Sequence, residues 1–264
     1  MAVKGIARYQ NLIKNVTNWQ EYIFNKNERK SRSLQFTTRP HHITFKVPDT
    51  LYQVFKEIFM EDFYVIDKLV KKLPPNPVVI DVGANAGFFN ILLFSKIKHA
   101  KVFAFEPMPS NILLFEETIR ANPVMQSIHL TQMAVTGSPK EHIDLFTVDT
   151  EDNTVVSSIF SDFSGLNTKK ITVPAKSLGA IIEENKLGKI DLLKLDCEGS
   201  EYDIIYNTDP AIFSIIEMMV IEVHQIDKEK NNLASLNNYL ASLGYEIRTL
   251  PVQEGSFYLE AIRK

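Results

Sequence analysis

The stretch Val78-Val79-Ile80-Asp81-Val82-Gly83-Ala84-Asn85-Ala86-Gly87-Phe88-Phe89 constrains this chain more than any other. It opens as an apolar, β-branched run and closes in a glycine-spaced turn, after which Ile91, Leu92, Leu93 and Phe94 continue as an apolar helical pattern. That order reads as a buried strand, a tight turn and a helix start. Gly83 and Gly87 lack a Cβ, so the backbone there is expected to come close to a ligand. Asp81 places a carboxylate at the C-terminal end of the strand, the edge at which open α/β sheets bind their ligands.

Two nucleotide-type ligands compete for such a turn. A dinucleotide fingerprint is G-x-G-x-x-G, with the pyrophosphate on the helix N-terminus. Here the pattern is D-x-G-x-N-x-G, without the third glycine and with an acid before the turn. A carboxylate repels a pyrophosphate and suits a cationic group, such as the amino acid end of S-adenosylmethionine. Glu106, which ends the next apolar run Val102-Phe103-Ala104-Phe105, is placed to accept hydrogen bonds from ribose hydroxyls. Both nucleotide types use such an acid, so Asp81 discriminates and Glu106 does not.

Asp81 to Gly87, then Phe105-Glu106-Pro107, then Asp191-Leu192-Leu193-Lys194-Leu195-Asp196-Cys197-Glu198-Gly199-Ser200-Glu201 together resemble the FkbM family of methyltransferases in order and spacing, over roughly residues 50 to 225. The resemblance implies a Rossmann-like class I methyltransferase fold and S-adenosylmethionine held by Asp81, Gly83, Asn85, Gly87, Glu106, Pro107, Ala134 and Asp196. It also implies O-methylation of a hydroxyl on a sugar, a glycan or a secondary metabolite. In the family the segment before the turn lies over the methionine end, which brings in Glu61 and Tyr64, and the end of the third strand, Gln132-Met133-Ala134, lies near the adenine. Residues 152–158, including Ser157, would then lie near the acceptor.

A length of 264 residues fits one large α/β domain or two small ones. We divide it into a basic N-terminal extension, 1–50, and a methyltransferase domain, 51–264. The net charge of −3 requires no nucleic acid partner, but the charge is uneven: residues 1–46 hold nine Lys/Arg against Glu21 and Glu28. A basic arm on an acidic body suits an anionic substrate or a membrane surface; a solvated, partly helical extension is the plainer reading. Cys197 is the sole cysteine, which excludes an intrachain disulfide and a cysteine-rich zinc site and fits a reducing compartment. No apolar signal segment or run of about 18 apolar residues is present, so a cytoplasmic protein is expected.

Ile6, Tyr9, Ile13, Val16, Trp19 and Ile23 recur near a 3.6 period, which predicts an amphipathic helix whose apolar face packs on the body or makes a homo-oligomer. Residues 26–38 read as a loop, 43–47 as a short strand and 51–72 as a second helical stretch ended by Leu73-Pro74-Pro75-Asn76-Pro77. Strands at 78–82, 102–106, 128–135, 190–195, 216–223, 245–250 and 257–262, with helices between them, predict a seven-stranded, mostly parallel sheet whose last strand is antiparallel.

Methyl transfer is chiefly alignment, and an alcohol acceptor gains when a nearby carboxylate or histidine takes its proton. The candidates are Lys194, Asp196 and Glu198, with His224 just past the fifth strand. Crowding of Asp196, Glu198 and Glu201 would raise a carboxyl pKa. Glu201 reads equally as a substrate contact or a helix cap, and Tyr64, Ser157 and Glu201 are taken as acceptor contacts. A divalent ion on these acids ranks below direct proton transfer, and no metal ligand set is assigned. Cys197 is expected to be a packed neutral thiol. The other readings are a nucleic acid methyltransferase, weakly favoured by the basic arm, a non-catalytic S-adenosylmethionine-binding protein, and a nicotinamide enzyme, which the Asp81 turn opposes.

Overall fold

The computed structural model describes residues 3–25, 33–147, 157–158, 169–253 and 255–264. The chain begins with α1 (Ala7–Asn15), α2 (Gln20–Phe24) and a hairpin of β1 (Leu34–Thr37) and β2 (Thr44–Val47), followed by α3 (Tyr52–Phe59) and α4 (Ile66–Leu69). The alternating core follows: β3 (Val78–Val82), α5 (Phe88–Lys96), β4 (Lys101–Phe105), α6 (Pro109–Ala121) and β5 (Ile128–Thr131). Next come β6 (Ala134–Thr136), β7 (His142–Thr147), β8 (Ser157–Ser158), β9 (Lys169–Ser177) and α7 (Leu178–Glu184). The chain ends with β10 (Leu192–Leu195), α8 (Glu201–Asn207), β11 (Met218–His224), α9 (Leu233–Ser242), β12 (Tyr245–Gln253) and β13 (Ser256–Arg263).

Seven strands form the main sheet in the order β12-β13-β11-β10-β3-β4-β5. Only β13 runs against its neighbours; the β11, β10, β3, β4 and β5 pairs are parallel. Val79, Ile80 and Val82 of β3 and all of β10 are buried, as a parallel strand covered by helices on both faces requires. One core lies under α3, α5 and α6, with Phe55, Phe88 and Phe115; the other lies under α7, α8 and α9, with Ile181, Ile204 and Leu240. This is the expected Rossmann-like layering, and β10 and β3 pair side by side, with Lys194 level with Asp81.

Several local expectations are corrected. The third strand is two: β5 stays in the main sheet, while β6 pairs with β9 in a second, four-stranded sheet. The stretch 51–72 is two short helices, because the chain turns sharply between them, with Asp62 at φ 52° and Val65 at φ 49°. Asp62 stabilises the turn by accepting the Ile66 amide at 2.9 Å, and the turn aims Tyr64 at the sheet edge. Residues 34–37, read as loop, are strand β1.

The N-terminal helix is interrupted after Asn15. Val16 and the unforeseen Leu12 are buried, whereas Ile6 is 84% exposed and Ile13 and Ile23 face outward. The hairpin joins the first core through a ring cluster in which Phe36 stacks on Phe55 at 4.7 Å and Phe45 on Phe59 at 5.1 Å. The described basic residues of this segment are largely paired with the body. Lys14 meets Asp67 and Lys46 lies 2.5 Å from Glu117, whereas Arg39 donates to the Val16 carbonyl at 2.7 Å within the segment itself. Lys26, Arg29, Lys30 and Arg32 lie outside the described residues. Among the described residues no helix is long and apolar enough to cross a membrane.

Candidate active site

The glycines of the signature turn are needed for protein contacts. A Cβ on Gly83, at φ 75°, would lie 1.7 Å from the main-chain oxygen of Asp196, and one on Gly87, at φ 80°, would lie 2.2 Å from the Phe115 ring. Close approach of β10 and α6 therefore sets both positions. Gly87 does not line the ligand cavity; Gly83 does. The turn is tied to β4, since the amides of Gly83 and Ala84 both donate to the Phe105 carbonyl at 3.0 Å. The Asn85 amide donates to Glu106 Oε2 at 2.9 Å, and the Met108 amide to Glu106 Oε1 at 3.0 Å. Burial, offset in part by these amides, pushes Glu106 up to about 7.

Asp81 lies beneath the turn. It is fully buried and does not line the cavity. Its Oδ1 accepts from Lys194 Nζ at 2.8 Å and its Oδ2 from Asn90 Nδ2 at 2.6 Å. Lys194 also donates to the Gly83 carbonyl at 3.0 Å and lies 3.5 Å from Asp196. Burial disfavours its charge, but Asp81 and Asp196 outweigh burial and hold it protonated. Asp81 therefore meets a cation, as its sequence context suggested, but that cation is Lys194 of the same chain. Direct ligand contact by Asp81 is corrected on this ground.

A cavity of about 390 Å³ opens at the C-terminal ends of β3, β4, β10 and β11, within the range of small-molecule sites. One half is walled by Gly83, Asn85, Glu106, Pro107, Met133 and Ala134, the other by Val54, Glu57, Ile58, Glu198, Glu222 and His224, with Asp196 at the junction. Asp196 keeps 27% of its side chain exposed. Burial raises its pKa, but Lys194, the Tyr64 hydroxyl and His224 together lower it below the ordinary value. Glu222 hydrogen-bonds to Asp196, and its own pKa is driven well up by burial and then by Asp196.

Glu198 sits at the apex of the turn after β10, at φ 49°. Non-glycine residues in this left-handed conformation concentrate at functional sites. Burial pushes its carboxyl up to about 7. His224 Nε2 lies 3.3 Å from Glu198 and 3.6 Å from Glu222, and Nδ1 lies 3.2 Å from Glu201. Burial opposes its charge, but these three carboxylates raise His224 to about 10. The ring is an imidazolium with no lone pair to accept a proton, so the proton-acceptor expectation for His224 is corrected. His224 is also the last residue of β11, not a residue beyond it.

Two acceptor-contact expectations are corrected by placement. Glu201 is fully buried and walls no part of the cavity. It accepts the amides of Gly199 at 2.7 Å and His224 at 3.0 Å, neither being a helix cap of α8. Tyr64 is buried outside the cavity wall and donates to Asp196 Oδ2 at 2.5 Å. The backbone of Ser157 pairs with Thr147, while its side chain and residues 152–156 lie outside the described residues. Burial raises the Cys197 thiol well up, as a neutral thiol requires. Glu57 and Glu222 were not singled out from sequence. A period-2 polar pair, Glu222 and His224, at the end of a buried strand was the available signal.

The fold is a doubly wound α/β protein with its cavity at the carboxyl edge of the sheet, the edge at which such sheets bind ligands. Residues 81–247 match the family model described as the methyltransferase FkbM domain, and the chain belongs to that family of methyltransferases. It is 28% identical over 214 residues to 31-O-demethyl-FK506 methyltransferase FkbM of Streptomyces tacrolimicus, covering 69% of this chain and 78% of that protein. It is 26% identical over 227 residues to AMB antimetabolite synthetase AmbE of Pseudomonas aeruginosa, a match over 74% of this chain that spans only 10% of the relative. Among solved structures, a precorrin-6y C5,15-methyltransferase from Geobacter metallireducens GS-15 aligns with a TM-score of 0.46 at 13% identity, covering 78% of this chain and 89% of that one.

Proposed function

We propose that this protein is an S-adenosylmethionine-dependent O-methyltransferase acting on a hydroxyl of a small molecule, a sugar, glycan or secondary metabolite. The observation that carries this reading is the division of one cavity. A nucleoside-suited half with Glu106 at its strand end and Met133 and Ala134 on its wall meets an acid-lined half in which Glu198 titrates at about 7.

The residues present fit the cofactor. Glu106 retains lone pairs for ribose hydroxyls beyond the backbone amides it already accepts. Met133, Ala134 and Pro107 offer apolar contact to a flat base. Asp196, held anionic and open to the cavity, suits a cationic amino acid end. When bound, S-adenosylmethionine supplies a methyl group on a positively charged sulfur. Glu198 accepts the acceptor hydroxyl's proton, since a base near 7 is half ionised at neutral pH. His224 positions Glu198 and offsets the charge of the surrounding acids. The acid-lined half opposes a phosphate backbone, which disfavours a nucleic acid acceptor. We take residues 51–264 as the methyltransferase domain, with 1–50 as an extension, and assign the protein to the cytoplasm on its single cysteine.

Calorimetric titration with S-adenosylhomocysteine is expected to show saturable binding, and the same titration with NAD none. Glu106→Ala is expected to weaken S-adenosylhomocysteine roughly 10- to 100-fold, the effect of losing charge-assisted hydrogen bonds. Absence of S-adenosylhomocysteine binding, or preference for NAD, would overturn the assignment.

A further inference from the structure

Helix α3 brings Val54, Glu57 and Ile58 to the cavity, a spacing that puts all three on one helix face. Glu57 is thus a single acid between two apolar side chains. Its Oε1 is fixed by Gln53 Nε2, which donates at 2.8 Å from the previous turn of the helix. Oε2 has no hydrogen-bond partner among the described residues. Glu198, Glu222 and His224 line the same part of the cavity. Glu57 and Glu198 are close enough to interact: after burial, Asp196 contributes to the raised pKa of Glu57, and Glu57 contributes to that of Glu198.

We propose that Glu57 selects the acceptor, its Oε2 accepting a hydrogen bond from a hydroxyl that neighbours the one being methylated. The acceptor is then an uncharged compound with two adjacent hydroxyls, on a carbon framework whose apolar face rests on Val54 and Ile58. This deepens the O-methyltransferase reading and rests on it. The geometry supplies both requirements. Glu198 and Glu57 both line the cavity and lie close enough to interact, so each can address one of two neighbouring hydroxyls, while α3 offers apolar area on either side of the Glu57 carboxylate. An anionic acceptor would place its charge in a partly desolvated space beside Asp196, Glu57 and Glu198, where like charges are costly. A single-hydroxyl acceptor would leave Glu57 Oε2 desolvated without a partner, which selects against it.

The test uses the full chain with S-adenosylmethionine and reads S-adenosylhomocysteine formation. The acceptors are matched sets: pyranosides with adjacent free hydroxyls, the same pyranosides lacking one of the two, their 6-phosphates, and trans-1,2-cyclohexanediol against cyclohexanol. Turnover is expected for uncharged diols and at least tenfold less for the deoxy and phosphorylated partners. Glu57→Ala is expected to raise KM for the diol about tenfold, the loss of one hydrogen bond to a charged group. Its kcat should stay within about twofold and KM for the deoxy partner should not rise, since the unpaired carboxylate that penalises it is gone; Glu57→Gln, which keeps an acceptor oxygen, should recover part of the loss. Equal use of phosphorylated acceptors, an equal KM rise for diol and deoxy partners, or turnover of no uncharged diol would overturn the proposal. Loss of S-adenosylhomocysteine binding by the unaltered protein would instead overturn the methyl-transfer reading and this proposal with it.

Discussion

Glu198→Gln is expected to lower the methyl-transfer rate by roughly 10²- to 10⁴-fold, the usual contribution of a positioned general base. Affinity for S-adenosylhomocysteine should survive, because the residue belongs to the acid-lined half of the cavity and not to the Glu106 half. The substitution is nearly isosteric and keeps a hydrogen-bonding oxygen toward His224, so it removes basicity more than shape. The pH profile provides the second check. Burial holds Glu198 at about 7, and only the ionised carboxylate accepts a proton. The rate of the unaltered protein should therefore rise about tenfold per pH unit below about 7 and level off above it. His224, held protonated up to about 10, should add no step near the ordinary histidine value. In the Gln variant the rising limb should vanish. A variant with normal turnover, or an unaltered pH limb, would clear Glu198 of this role.

The second large effect concerns stability. Lys194→Met is expected to destabilise the protein by roughly 3–5 kcal/mol, the cost of leaving a buried charge without its partner. Asp81 is fully buried and would keep only the Asn90 amide. Lys194 itself is buried at the base of the cavity, with Tyr64 and Phe89 rings 5.6 and 5.7 Å from its ammonium group. Asp81→Leu combined with Lys194→Met removes both charges and should recover most of the loss, since apolar replacement of a whole buried pair is often neutral. Urea denaturation midpoints at constant m-value measure both. The double variant also separates two roles for Asp81. Retained S-adenosylhomocysteine affinity would make it a support of the turn, whereas lost affinity in a folded double variant would return it to the ligand. A loss below about 1 kcal/mol in Lys194→Met would show that the pair does not carry the turn.

The layout of the sheet was legible before any coordinates. Runs such as Val78–Val82 and Leu192–Leu195, apolar apart from Asp81 and Lys194, are best satisfied between two helical layers, and the short connection before Phe257 favours an antiparallel return. The same runs place Asp81, Glu106 and Asp196 at the carboxyl ends of their strands, because strand ends are local properties of the chain. Burial and pairing are not local. Asp81 and Gly87 were expected at the ligand; Lys194, 113 residues further along the chain and on a different strand, neutralises the first, and Phe115 occupies the space at the second.

Position in sequence also does not distinguish one carboxylate from another. Asp196, Glu198, Glu201 and Glu222 look alike as residues, yet Lys194 holds Asp196 anionic, burial lifts Glu198 to about 7, and His224 is charged by three glutamates contributed by two segments. Glu57 lines the cavity through the packing of α3 against α5, a contact between separate segments of the chain. Residue order was thus enough to determine strands, their sequence and the edge at which a ligand must sit. The protonation state of each acid and the identity of the residues that face the ligand were decided by tertiary structure, because both depend on desolvation and on charges brought together from distant parts of the chain.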